Sequence, residues 1–125
     1  MSDQPIKSYQ DLRVWREAME LAADAYRLTA QLPRDEIYGL TSQLRRAVVS
    51  IAANIAEGYG RESTGAYIQF LKIAQGSLKE AETLVLLSEK IELVSRAKVA
   101  PLLERCDALG RMLNGLIRSL QKDSG

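Results

Sequence analysis

The chain has 125 residues, with 17 basic against 16 acidic side chains, one cysteine and no histidine. That length fits one domain able to bury a core without disulfides or metal, and the near balance of charge excludes a strong global field toward nucleic acid or anionic lipid. The missing histidines remove the commonest general base and a principal metal ligand. Lone Cys106 cannot form an internal disulfide, and neither a signal peptide nor a membrane-spanning apolar run is found, so a soluble cytoplasmic protein without cofactor or metal is expected.

Residues 1–7 are polar, contain Pro5 and show no period, and read as a flexible arm. Ser8 followed by Asp11 suggests a capped helix running from 8 to 32 and stopped by Pro33. Its charges Arg13, Arg16, Glu17, Glu20, Asp24 and Arg27 fall in a narrow wedge. Two apolar stripes share the rest of the circumference: Leu12, Trp15, Met19, Ala22 and Tyr26, and Val14, Ala18, Leu21, Ala25 and Leu28. That is more apolar width than one bundle core needs.

The second helix is predicted over 36–57, with Asp35 as its cap and Gly58 and Gly60 as its exit. At 100° per residue it presents a large apolar face (Leu40, Leu44, Ala47, Val48, Ile51, Ile55) and, roughly opposite, a small one (Val49, Ala52, Ala53, Ala56). A third, polar stripe holds Gln43, Arg46, Ser50, Asn54 and Glu57. Two non-polar faces on one helix imply burial on two sides, and the small face together with Trp15, Met19 and Tyr26 is the candidate surface for self-association.

Ser63 or Thr64 opens a third helix ending near Lys90, and Ser95 is the cap candidate for a fourth. In that fourth helix Val99, Leu102, Cys106, Leu109, Leu113, Leu116 and Leu120 form a seam of alternating steps of three and four. Pro101 removes a backbone donor there and predicts a kink or a broken first turn near 97–101. Helices of this length joined by short connections make an all-α, up-down-up-down antiparallel four-helix bundle over 8–121, with 122–125 as a flexible tail.

The run Gln43-Leu44-Arg45-Arg46-Ala47, Ser50-Ile51, Asn54-Ile55-Ala56-Glu57-Gly58, preceded by Leu32-Pro33 and Glu36-Ile37-Tyr38-Gly39-Leu40, resembles the proteins encoded in intervening sequences of bacterial 23S ribosomal RNA genes. Asp11-Leu12, Val14-Trp15, Phe70-Leu71, Ile73-Ala74, Gly76-Ser77-Leu78 and Glu80 extend the match over roughly residues 9 to 120. The chain is also similar to the accessory variability determinant of diversity-generating retroelements. These resemblances imply a homopentameric barrel of four-helix bundles, with structured RNA or a reverse transcriptase as partner.

The near-neutral charge sets this chain apart from the strongly basic retroelement proteins and confines any RNA contact to a local patch. Residues 95–122 hold six basic side chains, Arg96, Lys98, Arg105, Arg111, Arg118 and Lys122, against Glu104 and Asp107. Arg111, Arg118 and Lys122 share one face, and with Arg105 they are the candidate phosphate contacts; the competing reading is a solvated outer face. Arg46, Ser50, Asn54 and Glu57 are spaced to interact along one helix and are read as a stripe fixing register or partner choice. An active site built from Glu57 with Arg45 or Arg46 lacks a nucleophile and a second acid, and the chain is read as non-catalytic. Cys106 is read as an inert core residue, and Gly58, Gly60 and Ser63 only imitate a phosphate loop. The two leading functions are a homo-oligomeric adaptor for a nucleic acid or nucleoprotein, and a protein scaffold with no nucleic-acid contact.

Overall fold

A computed structural model describes residues 5–124. It is built from four long helices: α1 (Arg13–Thr29), α2 (Leu40–Tyr59), α3 (Thr64–Lys90) and α4 (Arg96–Ser124). Consecutive helices pack against each other and α4 closes onto α1, while α1 and α3 lie diagonal, as do α2 and α4. Cross-helix contacts run in opposite sequence directions: Lys98 reaches Gln31 whereas Arg105 reaches Glu17, and Ser50 meets Ser77 whereas Gly58 meets Phe70. The result is the antiparallel up-down-up-down bundle that the periodicity predicts. Of the arm, residues 1–4 lie outside the described residues, as does Gly125.

The core takes one stripe from each helix. Val14, Ala18, Leu21, Ala25 and Leu28 from α1 meet Leu44, Val48, Ile51 and Ile55 from α2. Leu71, Ala74, Leu78, Ala81 and Val85 from α3 and Val99, Leu102, Cys106, Leu109, Leu113 and Ile117 from α4 complete it. Towards the end of α4 the seam shifts, so that Ile117 is buried while Leu116 and Leu120 only flank the core. A 3.6-residue helix drifts relative to a strict seven-residue repeat, so a seam read as alternating threes and fours falls behind the true core direction after several turns, and the buried position moves one residue on.

Several boundaries differ from those expected. Ser8 and Asp11 do form a capping box, but it closes a 3-10 turn, Tyr9–Asp11, and Leu12 is extended before α1 begins. A second 3-10 turn, Arg34–Glu36, precedes α2, so Asp35 caps nothing; instead Glu36 Oε1 accepts from the Leu40 N–H at 3.3 Å. Gly58 lies inside α2 instead of in its exit. A Cβ there would stand 2.7 Å from Phe70 Cβ, so its hydrogen lets α3 approach closely, and Gly60 ends the helix in an ordinary right-handed conformation. Ser63 caps α3 by accepting from Ala66 N–H at 3.1 Å. At the far end of α3, Glu92 takes a left-handed φ of 63° while the Ser88 and Glu89 carbonyls accept from Leu93 and Glu92, a helix closure usually given to glycine. Helix α4 begins at Arg96 and runs through Pro101 without a broken first turn, although the proline removes a donor in the second turn, and it continues through residues 122–124, which were expected as a tail.

Candidate assembly surface

Helix α1 presents its core stripe inward and its second apolar stripe sideways, toward α2. On α2, Ala52 and Ala56 stand about 90° from the core direction on the α1 side, with Val49 and Ala53 farther round. The two stripes meet in one shallow groove of about 520 Å³ along the outer side of the α1–α2 seam. Trp15, Met19 and Tyr26 form one wall, and Val49, Ala52, Ala53 and Ala56 the other. Every residue named from sequence as a self-association candidate therefore lines this groove. Met19, Tyr26, Val49 and Ala53 are exposed, Trp15 and Ala56 half-buried, and Ala52 buried.

Both ends of the groove are held by aromatic contacts. At one end Tyr9 packs edge-on against Trp15, ring centroids 5.2 Å apart. Its 3-10 turn is braced by the Ser8–Asp11 box and by Arg16, whose Nε donates to the Gln10 carbonyl at 3.0 Å. At the other end the Arg45 guanidinium lies 4.4 Å over the Tyr26 ring. It donates to Thr29 Oγ1 at 2.8 Å and to the Tyr26 carbonyl at 3.3 Å, placing a cation on the negative end of α1. Sequence reasoning set Arg45 aside and missed Tyr9 and Ala23 as lining residues. Ala23 was findable, since it stands four residues after Met19 and three before Tyr26.

The polar stripe does not act as a single chain of contacts. Asn54 Nδ2 donates to the Ser50 carbonyl at 2.8 Å and to Ser50 Oγ at 3.0 Å, and Ser50 Oγ bonds Ser77 Oγ of α3 at 2.8 Å. These bonds tie α2 to α3 within one protomer. Arg46 is exposed at one end, and Glu57 at the other pairs with Arg61 at 4.0 Å. Neither Arg45 nor Arg46 pairs with Glu57 among the described residues, so the acid and base of the enzyme reading are not brought together.

The basic helix is more neutral in space than along the chain. Arg105 is enclosed by Asp24 at 2.9 Å and Glu17 at 3.6 Å, both on α1, and so faces a different side from the other candidates. Arg96 pairs with Glu89 at 3.3 Å and Arg111 with Asp107. Arg118 and Lys122 are exposed and make no ion pair among the described residues. Cys106 lies buried beneath a hollow between α3 and α4; burial first, and then the Glu82 charge, push its thiol up to about 12 against the opposing pull of Lys79. Such a thiol is not a nucleophile at neutral pH.

The family profile of the 23S rRNA-intervening sequence proteins matches residues 10–115. This chain belongs to that family. A solved protein of unknown function from Bacteroides thetaiotaomicron, described as of the S23 ribosomal protein family, is similar at 24% identity and a TM-score of 0.78, covering 83% of this chain and 97% of that one. At that identity the likeness speaks for the fold. No curated protein matches the chain. No described helix of this family member is long and apolar enough to cross a membrane.

Proposed function

We propose that the chain is a non-catalytic adaptor that works as a homo-oligomer assembled through the α1–α2 groove, presenting repeated bundle faces to a nucleoprotein or structured RNA. The observation that supports this most directly is the groove itself: an apolar seam open on the bundle surface, with an aromatic contact at each end. The resemblance to the accessory variability determinant suggests five copies and a reverse transcriptase as partner. Sedimentation velocity tests the assembly. The wild type is expected to sediment as one discrete oligomer and Ala53→Glu as a monomer, because a carboxylate on the alanine wall would be desolvated and overfill the contact. A fully assembled Ala53→Glu protein would overturn the reading.

A second reading, a protein scaffold with no nucleic-acid contact, is favoured by the carboxylates facing Arg96, Arg105 and Arg111. Filter binding of a structured RNA across a salt series separates the two. An affinity that falls steeply with salt and drops on Arg118→Gln/Lys122→Gln would support the RNA-binding adaptor; no binding even at low salt would leave the scaffold.

A further inference from the structure

Among the unpartnered apolar features of the described residues, the groove is concave and another feature projects. The projecting one is the turn between α1 and α2. There Tyr38 is 93% exposed and Ile37 54%, the two most exposed large hydrophobic side chains among the described residues. The turn is not slack: Ile37 N–H donates to the Arg34 carbonyl at 3.1 Å, Gly39 N–H to the Glu36 carbonyl at 3.0 Å, and Leu40 N–H to Glu36 Oε1. A braced turn holding an aromatic side chain in water loses little conformational freedom when that side chain docks, and tyrosines in this setting commonly anchor interfaces.

We propose that the Ile37–Tyr38 turn of one copy seats in the α1–α2 groove of the next copy. The inference rests on the assembly reading above and names what fills the groove. The turn cannot fill its own groove, because it joins α1 to α2 beyond the Tyr26 end, where Arg45 already occupies the space against the ring. Charge favours the same occupant. The turn carries Arg34, Asp35 and Glu36, one negative charge net, and Asp35 is exposed without an ion pair among the described residues. The Tyr26 end of the groove carries Arg45 and Arg46 on α2, and Arg46, one turn before Val49, is likewise exposed and unpaired among the described residues. A turn-into-groove contact is head-to-tail, and such contacts close into rings when the rotation between copies allows. One aromatic buries on the order of 150–250 Å². The turn therefore acts as the anchor of a larger contact, with the flanking helix surfaces supplying the remainder.

A complementation experiment tests this. Tyr38→Ser removes the anchor and leaves the groove; Ala53→Glu blocks the groove and leaves the anchor. Each is expected to stay helical by circular dichroism and to sediment as a monomer, Tyr38→Ser weakening assembly at least tenfold. Mixed at equal concentration, the two should form a 1:1 heterodimer, since one intact turn and one intact groove make a single contact that cannot propagate. With Trp15→Phe added to the Ala53→Glu chain, the remaining Trp15 emission should shift to the blue on mixing as its groove is covered. If Ala53→Glu is monomeric while Tyr38→Ser assembles normally, the turn is overturned and the groove reading stands. If both are monomers and no heterodimer forms, head-to-tail seating is overturned. If the wild type is itself a monomer, or both variants assemble, both readings fall.

Discussion

Helix α1 has two flanks that solve the same problem differently. Toward α4, charged and polar side chains bridge the seam: Arg105 reaches Asp24 and Glu17, and Lys98 reaches Gln31. Toward α2, the corresponding surface carries Trp15, Met19 and Tyr26 against a wall of alanines, with polar closure only at its ends. A seam that faces water gains from polar side chains arching over the core, which hide apolar stems and keep the heads hydrated. The seam toward α2 lacks that cover along its length, which is the surface that the proposed assembly would remove from water. The contrast lies within one helix, so it does not reflect overall composition.

The largest test of this contrast sets two small residues of α2 against each other. Gly58 and Ala53 both permit close approach, but Gly58 admits α3 of its own chain whereas Ala53 faces the open groove. Gly58→Ala forces a methyl to within 2.7 Å of Phe70 Cβ. It is expected to cost about 1–3 kcal/mol of folding stability, seen as a lower midpoint in urea. Ala53→Glu should leave the protomer's own stability within about 0.5 kcal/mol, as exposed substitutions do, while abolishing assembly. If instead Ala53→Glu unfolds the protomer, its wall belongs to the core and the two flanks of α2 are alike.

The sequence carried the bundle almost completely, because α1, α2 and α4 each place a periodic apolar stripe where the core needs it, and Val14 through Leu28 and Leu40 through Ile55 read correctly by angle alone. It also carried the groove's walls, since the second stripes of α1 and α2 are visible as surplus apolar width. Periodicity could not show whether the two surplus stripes face each other, which depends on how α1 and α2 are rotated in the bundle. Nor could it show that Arg105 is neutralised by Asp24 and Glu17, residues about eighty positions away in the chain. The helix starts failed where 3-10 turns intervene: Ser8–Asp11 satisfies local capping chemistry but closes only a 3-10 turn, Asp35 caps nothing, and the chain bends again at Leu12 and Gly39 before the long helices begin.

A smaller effect tests the closed side. Arg105→Met keeps much of the packing but removes the cation shared by Asp24 and Glu17. These groups are partly hydrated, so the expected loss is about 0.5–1 kcal/mol, reduced further by salt. With assembly through the α1–α2 groove, as proposed, the oligomer mass should not change. A change in mass on Arg105→Met, by the same sedimentation measurement, would move the interface to the charged flank and reverse the comparison.

The smallest expected effect sits at the Tyr9 end of the groove, where the Asp11 carboxylate is one of the braces on the 3-10 turn. Asp11 accepts from the Lys7 N–H at 2.9 Å and the Ser8 N–H at 3.2 Å. Those two bonds, followed by the weaker pull of the Arg16 and Lys7 charges, hold its pKa below the ordinary carboxylate value. A depressed pKa contributes stability that is fully present above the unfolded-state value and disappears as the pH falls through the lowered one. The brace on the 3-10 turn should therefore hold at neutral pH and release only in acid, below the usual carboxylate range, freeing Tyr9 from Trp15. Trp15 is the only tryptophan in the chain, so its emission reports this directly. Asp11→Asn should give the released emission already at neutral pH and lose the acid step. Helicity measured alongside separates local release from unfolding: a Trp15 change that coincides with loss of helix would mean that the whole bundle gives way together, and that Asp11 does not hold the groove end on its own.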